Sequence, residues 1–153
     1  MPAFTATVRD LCHEGAVLAL RIGVGVDAEA ALLRTGHPVP AAQSVRALID
    51  IGAGRSLIRR GLAAQLGLTP VGVVEIDTPS STDLEAAEYR VRFWLDHTIG
   101  LEVTALEAPI PGDRLGALLG RDVLASAVLL YDGPSNRFTL TLPDGPTDLP
   151  RVR

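Results

Sequence analysis

Apolar positions in this chain fall into short runs separated by turn residues, and long helical stripes are rare. Residues 15–24 form an aliphatic, β-rich run that predicts a strand, and 45–50 alternates loosely before Gly52, which predicts a buried strand entering a tight turn with Asp50 at its end. Residues 71–78 and 89–95 predict two further strands, and Tyr89, Val91, Phe93 and Leu95 share one face of the second. The polar segment Pro79-Ser80-Ser81-Thr82-Asp83 between them predicts a long hairpin with a mobile tip. Another strand is expected over 99–106, and 128–131 with 138–142 flank the turn Asp132-Gly133-Pro134-Ser135-Asn136 as a second hairpin. Helical spacing is clearest at Ile58, Leu62 and Leu66, with Ser56 expected as N-cap and Gly67 just past the end. A short helical piece should begin near Arg121-Asp122, whereas 25–44, rich in Ala, Gly and Pro, reads mostly as loop.

Composition narrows the possibilities. At 153 residues the chain is one domain, and with 47% apolar but only 4% aromatic residues its core must be built from Val, Leu, Ile and Ala. A net charge of -4 and a scarcity of Lys argue against a nucleic-acid surface, which needs a concentrated basic patch. Cys12 is the only cysteine, so an intrachain disulfide is impossible and a reducing, cytoplasmic setting is expected. No leader-like segment is apparent and the run 16–20 is too short to cross a bilayer, so a soluble, unprocessed protein without membrane association is expected. His13, His37 and His97 lack metal-ligand spacing, and neither a metal nor a cofactor is expected. Cys12 and His13, as neighbours on an extended chain, would point to opposite faces, and Ser56 and Ser80 lack a Gly-x-Ser-x-Gly elbow, so thiol and serine nucleophiles are disfavoured.

Two separated segments carry the chemistry. Leu48-Ile49-Asp50-Ile51-Gly52-Ala53-Gly54 and Leu118-Leu119-Gly120-Arg121-Asp122-Val123-Leu124, in this order and with the hairpin between them, resemble the retropepsin family of homodimeric, pepsin-related aspartic proteases. The likeness runs from about Gly15 to Leu142. It implies a mainly β, closed-barrel acid-protease fold with one helix after the Asp-x-Gly turn and a short helix after Gly120. It divides the chain into an N-terminal segment 1–14 that is a possible dimer strand, a retropepsin-like domain 15–142 and a C-terminal tail 143–153. It also implies a homodimer that hydrolyses a peptide or protein substrate.

In that reading Asp50 is the catalytic carboxylate, and Ile51, Gly52 and Ala53 complete its turn. Thr78, Pro79 and Ser80 form a flap over the substrate, and Gly120, Arg121 and Asp122 are structural support. Two carboxylates sharing one proton are needed, and a chain with one such Asp supplies the pair only across a two-fold axis. Activity should therefore favour acidic to mildly acidic pH. Where the family has Thr or Ser the chain has Ile51, which has no hydroxyl with which to brace the twin turn. The alternative is accordingly a weak or inactive protease-like module for peptide binding or assembly. A different class is raised by Gly23-Val24-Gly25-Val26-Asp27-Ala28, which matches a dinucleotide fingerprint after a strand, with Asp50 near where a ribose-binding acid belongs. The hairpins elsewhere in the chain do not match repeated βαβ units.

Overall fold

The computed structural model describes residues 1–144, and the remainder of the expected tail, 145–153, lies outside the described residues. In chain order the elements are β1 (Ala3–Thr7), α1 (Leu11–Glu14), β2 (Val17–Val24), α2 (Val26–Arg34), β3 (Gln43–Ile49), β4 (Leu57–Arg59) and α3 (Leu62–Gln65). They are followed by β5 (Gly72–Thr78), β6 (Ser81–Trp94), β7 (Gly100–Ala108), β8 (Ala117–Leu119), α4 (Arg121–Leu124), β9 (Val128–Asp132) and β10 (Arg137–Thr141). The fold is mainly β, as the short apolar runs predict.

The larger sheet runs β2-β3-β8-β4-β7-β6-β5, and an extra β2–β6 pairing closes it into a ring, with β5 appended outside. Closure removes most of the free edges that a flat sheet would expose. Alternating side chains from this ring meet in one core, where Ile22, Ile58, Val91, Phe93 and Leu119 are fully buried. The smaller sheet, β1-β10-β9, lays Phe138 and Leu140 onto the same core. Most pairings are antiparallel, but β3–β8 and β4–β7 are parallel. The β3–β8 pair sets Ile49 beside Leu119, which brings the residues that follow each strand together.

Three expectations need correction. Residues 56–67 are not one helix: Leu57–Arg59 enter the sheet between β7 and β8, and only Leu62–Gln65 are helical. Long-range pairing outweighs the i, i+4 pattern here because it buries Ile58 completely, while Gly61, at φ 92, breaks the chain direction between the two pieces. Gly67 does take the left-handed position past the last turn, at φ 64. The segment 25–44 is not mostly loop, since residues 26–34 form α2. Asp27 and Glu29 in its first turn and Arg34 in its last suit the helix dipole, and Thr35 ends it by bonding back to the Ala31 carbonyl. In the N-terminal segment β1 pairs with β10 of its own chain, and Leu11 is fully buried in the common core. Cys12 and His13 belong to α1, not to extended chain; Cys12 is exposed, and His13 Nδ1 lies 2.7 Å from Asp10.

Candidate active site

Asp50 follows the last residue of β3, and its backbone N–H donates to the Leu119 carbonyl at 2.8 Å, so the strand pairing extends into the turn. The turn closes when Ala53 N–H donates to the Asp50 carbonyl at 3.2 Å. Gly52 N–H donates to Asp50 Oδ1 at 2.9 Å and fixes the carboxylate against its own loop. A Cβ at Gly52 would stand 3.1 Å from that same oxygen, so the missing side chain keeps the carboxylate approachable. Asp50 is half-buried, while Ile51 beside it is 69% exposed, an unusual position for a large apolar side chain.

The 120–122 segment grips this turn from below. Gly120 packs so tightly that a Cβ there would lie 2.6 Å from the Arg55 carbonyl carbon and 3.0 Å from the Ala53 oxygen. Arg121 donates from its guanidinium to the carbonyls of Ile51 and Gly52, at 2.9 and 3.1 Å, and from its backbone N–H to Ala53 at 2.8 Å. Asp122, buried, accepts from Ser56 N–H at 2.9 Å, Ser56 Oγ at 2.7 Å and Val123 N–H at 2.9 Å. Ser56 Oγ in turn accepts from Gly120 N–H at 3.0 Å. The predicted supports are therefore joined to the Asp50 turn by a continuous set of hydrogen bonds, with Asp122 as a buried acceptor at their centre.

Ser56 is the residue that sequence reasoning misplaced. Its expected role as N-cap is replaced by one at the centre of this network, fully buried and bonded to both Asp122 and Gly120. Arg55 next to it pairs with Glu88 of β6 at 2.9 Å and donates to the Thr104 carbonyl of β7 at 3.1 Å, tying the turn to the far side of the ring. The polar Arg55-Ser56 pair directly before the apolar Leu57-Ile58 was the local signal available.

Thr78, Pro79 and Ser80 form the tip of the β5–β6 hairpin. Residues 81–86 of β6 pair with β5 alone, so the tip stands beyond the ring. Thr78 Oγ1 donates to the Ser81 carbonyl at 3.3 Å, and among the described residues no hydrogen bond links the tip to the Asp50 turn. A bulge between Ile76 and Thr78 and the left-handed Asp83, at φ 52, reshape the hairpin just before its end.

The dinucleotide-like glycines sit elsewhere and do not bind as that fingerprint requires. β2 and β3 are antiparallel, so α2 does not cross between parallel strands. The N-terminus of α2 is already filled by the Glu102 carboxylate, which accepts from Val26 N–H at 3.2 Å. Burial of this carboxyl pushes its pKa above the ordinary value, against the opposing pull of Val26 N–H, Arg90 and Arg92. Gly25 leaves room for that carboxylate, since a Cβ there would meet Glu102 Oε1 at 2.6 Å and the Arg90 carbonyl oxygen at 3.1 Å. A phosphate placed here would face this anion.

No protein-family model matches the chain, and no curated protein matches it in sequence. No helix of the described residues is long and apolar enough to cross a membrane.

Proposed function

We propose that the chain is a retropepsin-like aspartic endopeptidase, active as a symmetric homodimer in which two copies of Asp50 share one proton and hold the attacking water. The observation that carries this reading is the Asp50 turn, set at the end of a strand and clamped by the Gly120-Arg121-Asp122 segment of its parallel neighbour. One copy offers one carboxylate at this turn, so a second copy completes the pair. The exposed Ile51 at the same turn supports an apolar contact with its twin, and Val128 and Leu130 of β9, 61% and 62% exposed, supply further apolar surface for pairing. In the dimer the ionised Asp50 takes a proton from water as the oxygen attacks the scissile carbonyl carbon. The protonated Asp50 donates to the carbonyl oxygen, and collapse of the tetrahedral intermediate delivers a proton to the leaving amine. The Thr78-Pro79-Ser80 tip would lie over the bound peptide.

Digestion of a peptide library at several pH values tests this directly. Cleavage should be strongest on the acidic side of neutrality, and Asp50→Asn should abolish it with the fold intact. Unchanged turnover in that variant, or a strict monomer by sedimentation in the presence of substrate, removes the assignment. The missing hydroxyl at Ile51 favours a second reading, a protease-like module that binds peptides or assembles without cutting them. Ile51→Thr separates the two: a large gain of cleavage marks the natural chain as impaired, and a loss marks Ile51 as an adapted apolar brace.

A further inference from the structure

Far from the Asp50 turn, the 35–42 segment folds back over the β2–β6 ladder and leaves an open cleft of about 260 Å³. Its volume suits a small group or one or two residues of a peptide, not a drug-sized ligand. Arg21, Trp94, Arg92, His97, Val39 and Pro40 line it. Arg21 and Trp94 are directly opposite each other in the ladder, so both side chains rise from the same face. The indole rests on a bed prepared by two glycines. A Cβ at Gly100, its cross-strand partner on β7, would come within 2.9 Å of the six-membered ring, and one at Gly23 would come within 3.6 Å of Nε1. Arg92 stacks with its guanidinium carbon 5.1 Å from the indole centroid and is itself held by Glu29 at 2.9 Å. Pro38 and Pro40 stiffen the opposing wall.

The chemistry of this cleft is one-sided. Among the described residues the Arg21 guanidinium and the Trp94 indole N–H have no hydrogen-bond or ion-pair partner. The carboxylate present, Glu29, is committed to Arg92. Donors are thus left open while the acceptor is used. With Arg92 paired to Glu29, the Arg21 guanidinium is the cation left to meet a ligand, and one guanidinium matches a monoanion better than a dianion. A guanidinium fork takes a carboxylate in two parallel hydrogen bonds, and Val39, Pro40 and Val24 offer apolar contact to a short aliphatic stem.

We infer that this cleft is a binding site for the carboxylate of a peptide, in which Arg21 pairs with the carboxylate and the Trp94 indole N–H donates to it. The carboxylate comes either from a peptide C-terminus or from an acidic side chain. Gln43, paired with Ile22, begins the seven-residue β3 that ends just before Asp50, so the cleft lies roughly 20 Å from that carboxylate at ~3.3 Å per residue. Binding here is therefore independent of the aspartyl chemistry.

Trp94 is the sole tryptophan, so its emission reports on this cleft alone. The full chain is titrated with acetyl-trialanine carrying a free C-terminus, with its C-terminal amide, with acetyl-Ala-Asp-Ala-amide and with inorganic phosphate. A saturable change of Trp94 emission is expected with at least one carboxylate peptide and not with acetyl-trialanine amide. The tighter of the two carboxylate peptides identifies the source. Arg21→Gln should weaken that binding at least about tenfold, and Asp50→Asn should leave it unchanged. Equal binding of the acid and amide forms of trialanine, tighter binding of phosphate than of either carboxylate, or no saturable change with any carboxylate peptide overturns the proposal. The acid and amide comparison needs no variant and stands even if Arg21→Gln fails to fold.

Discussion

The Asp50 turn and the Arg21–Trp94 cleft use similar side chains to opposite ends. At the turn each surrounding polar group is spent inside the protein: Arg121 on the carbonyls of residues 51 and 52, Asp122 on Ser56 and Val123, Ser56 on Gly120. In the cleft, among the described residues, Arg21 and the Trp94 N–H have no hydrogen-bond partner, and the nearby acid is spent on Arg92. A guanidinium bonded to loop carbonyls holds a position, whereas one left without a partner beside an apolar wall has binding capacity to give. The first region is built for rigidity and the second for recognition, so changes in the first should register as lost stability and changes in the second should not.

The largest effect is expected at Asp122. Asp122→Ala leaves Ser56 N–H, Ser56 Oγ and Val123 N–H without their acceptor in a buried site. That should cost about 3–5 kcal/mol, a fall of roughly 10 °C in Tm, read by urea and thermal unfolding. A loss under about 1 kcal/mol would mean that the network is not rigidly held. Gly120→Ala comes next. The added carbon meets backbone at Arg55 and Ala53, which cannot rotate away as a side chain can, and the strain should cost about 1–3 kcal/mol. If the clamp sets the Asp50 turn and the proposed endopeptidase reading holds, this variant should also lose more cleavage than its stability alone explains.

The difference between the regions also governs what the sequence disclosed. The Asp50 turn and the short helix at Arg121 were legible because each is local: an apolar strand ending in Asp-x-Gly, and an apolar run stopped by glycine. Both hairpins were legible for the same reason, although β6 begins at Ser81, inside the segment expected as the tip, and pairs with β5 through residues 81–88 instead of 89–95. Ser56 was not, because Ile58, Leu62 and Leu66 fit a helix as well as they fit a strand followed by one turn, and only pairing with β7 and β8 decides between them. The cleft was less legible still. It assembles from β2, the 35–42 segment and the end of β6, and α2, which precedes that segment, lies in a stretch whose Gly and Pro content reads as loop. Glu102 of β7 caps this helix across the fold, a stabilising partner that no local pattern contains.

That cap supplies the smallest expected effect and tests whether the α2 side of the molecule tolerates charge change. Glu102 is half-buried on β7 beneath Val26 N–H, with Arg90 and Arg92 alongside and Asp27 and Glu29 nearby on α2. Burial is the dominant influence and raises its pKa above the ordinary 4.5, outweighing the amide and the two guanidinium groups. The folded state therefore keeps this proton to higher pH than the unfolded chain. The corresponding stability is fully present below the unfolded value and is lost as pH rises through the folded one. Glu102→Gln removes the titration but keeps an oxygen for Val26 N–H, so the stability of the variant relative to the natural chain should improve as pH is raised from 4 towards neutrality. Urea midpoints across that range measure the trend. The opposite slope would show that Arg90 and Arg92 outweigh burial, making the α2 cap a net ion-pair device and bringing this region closer in kind to the Asp122 clamp.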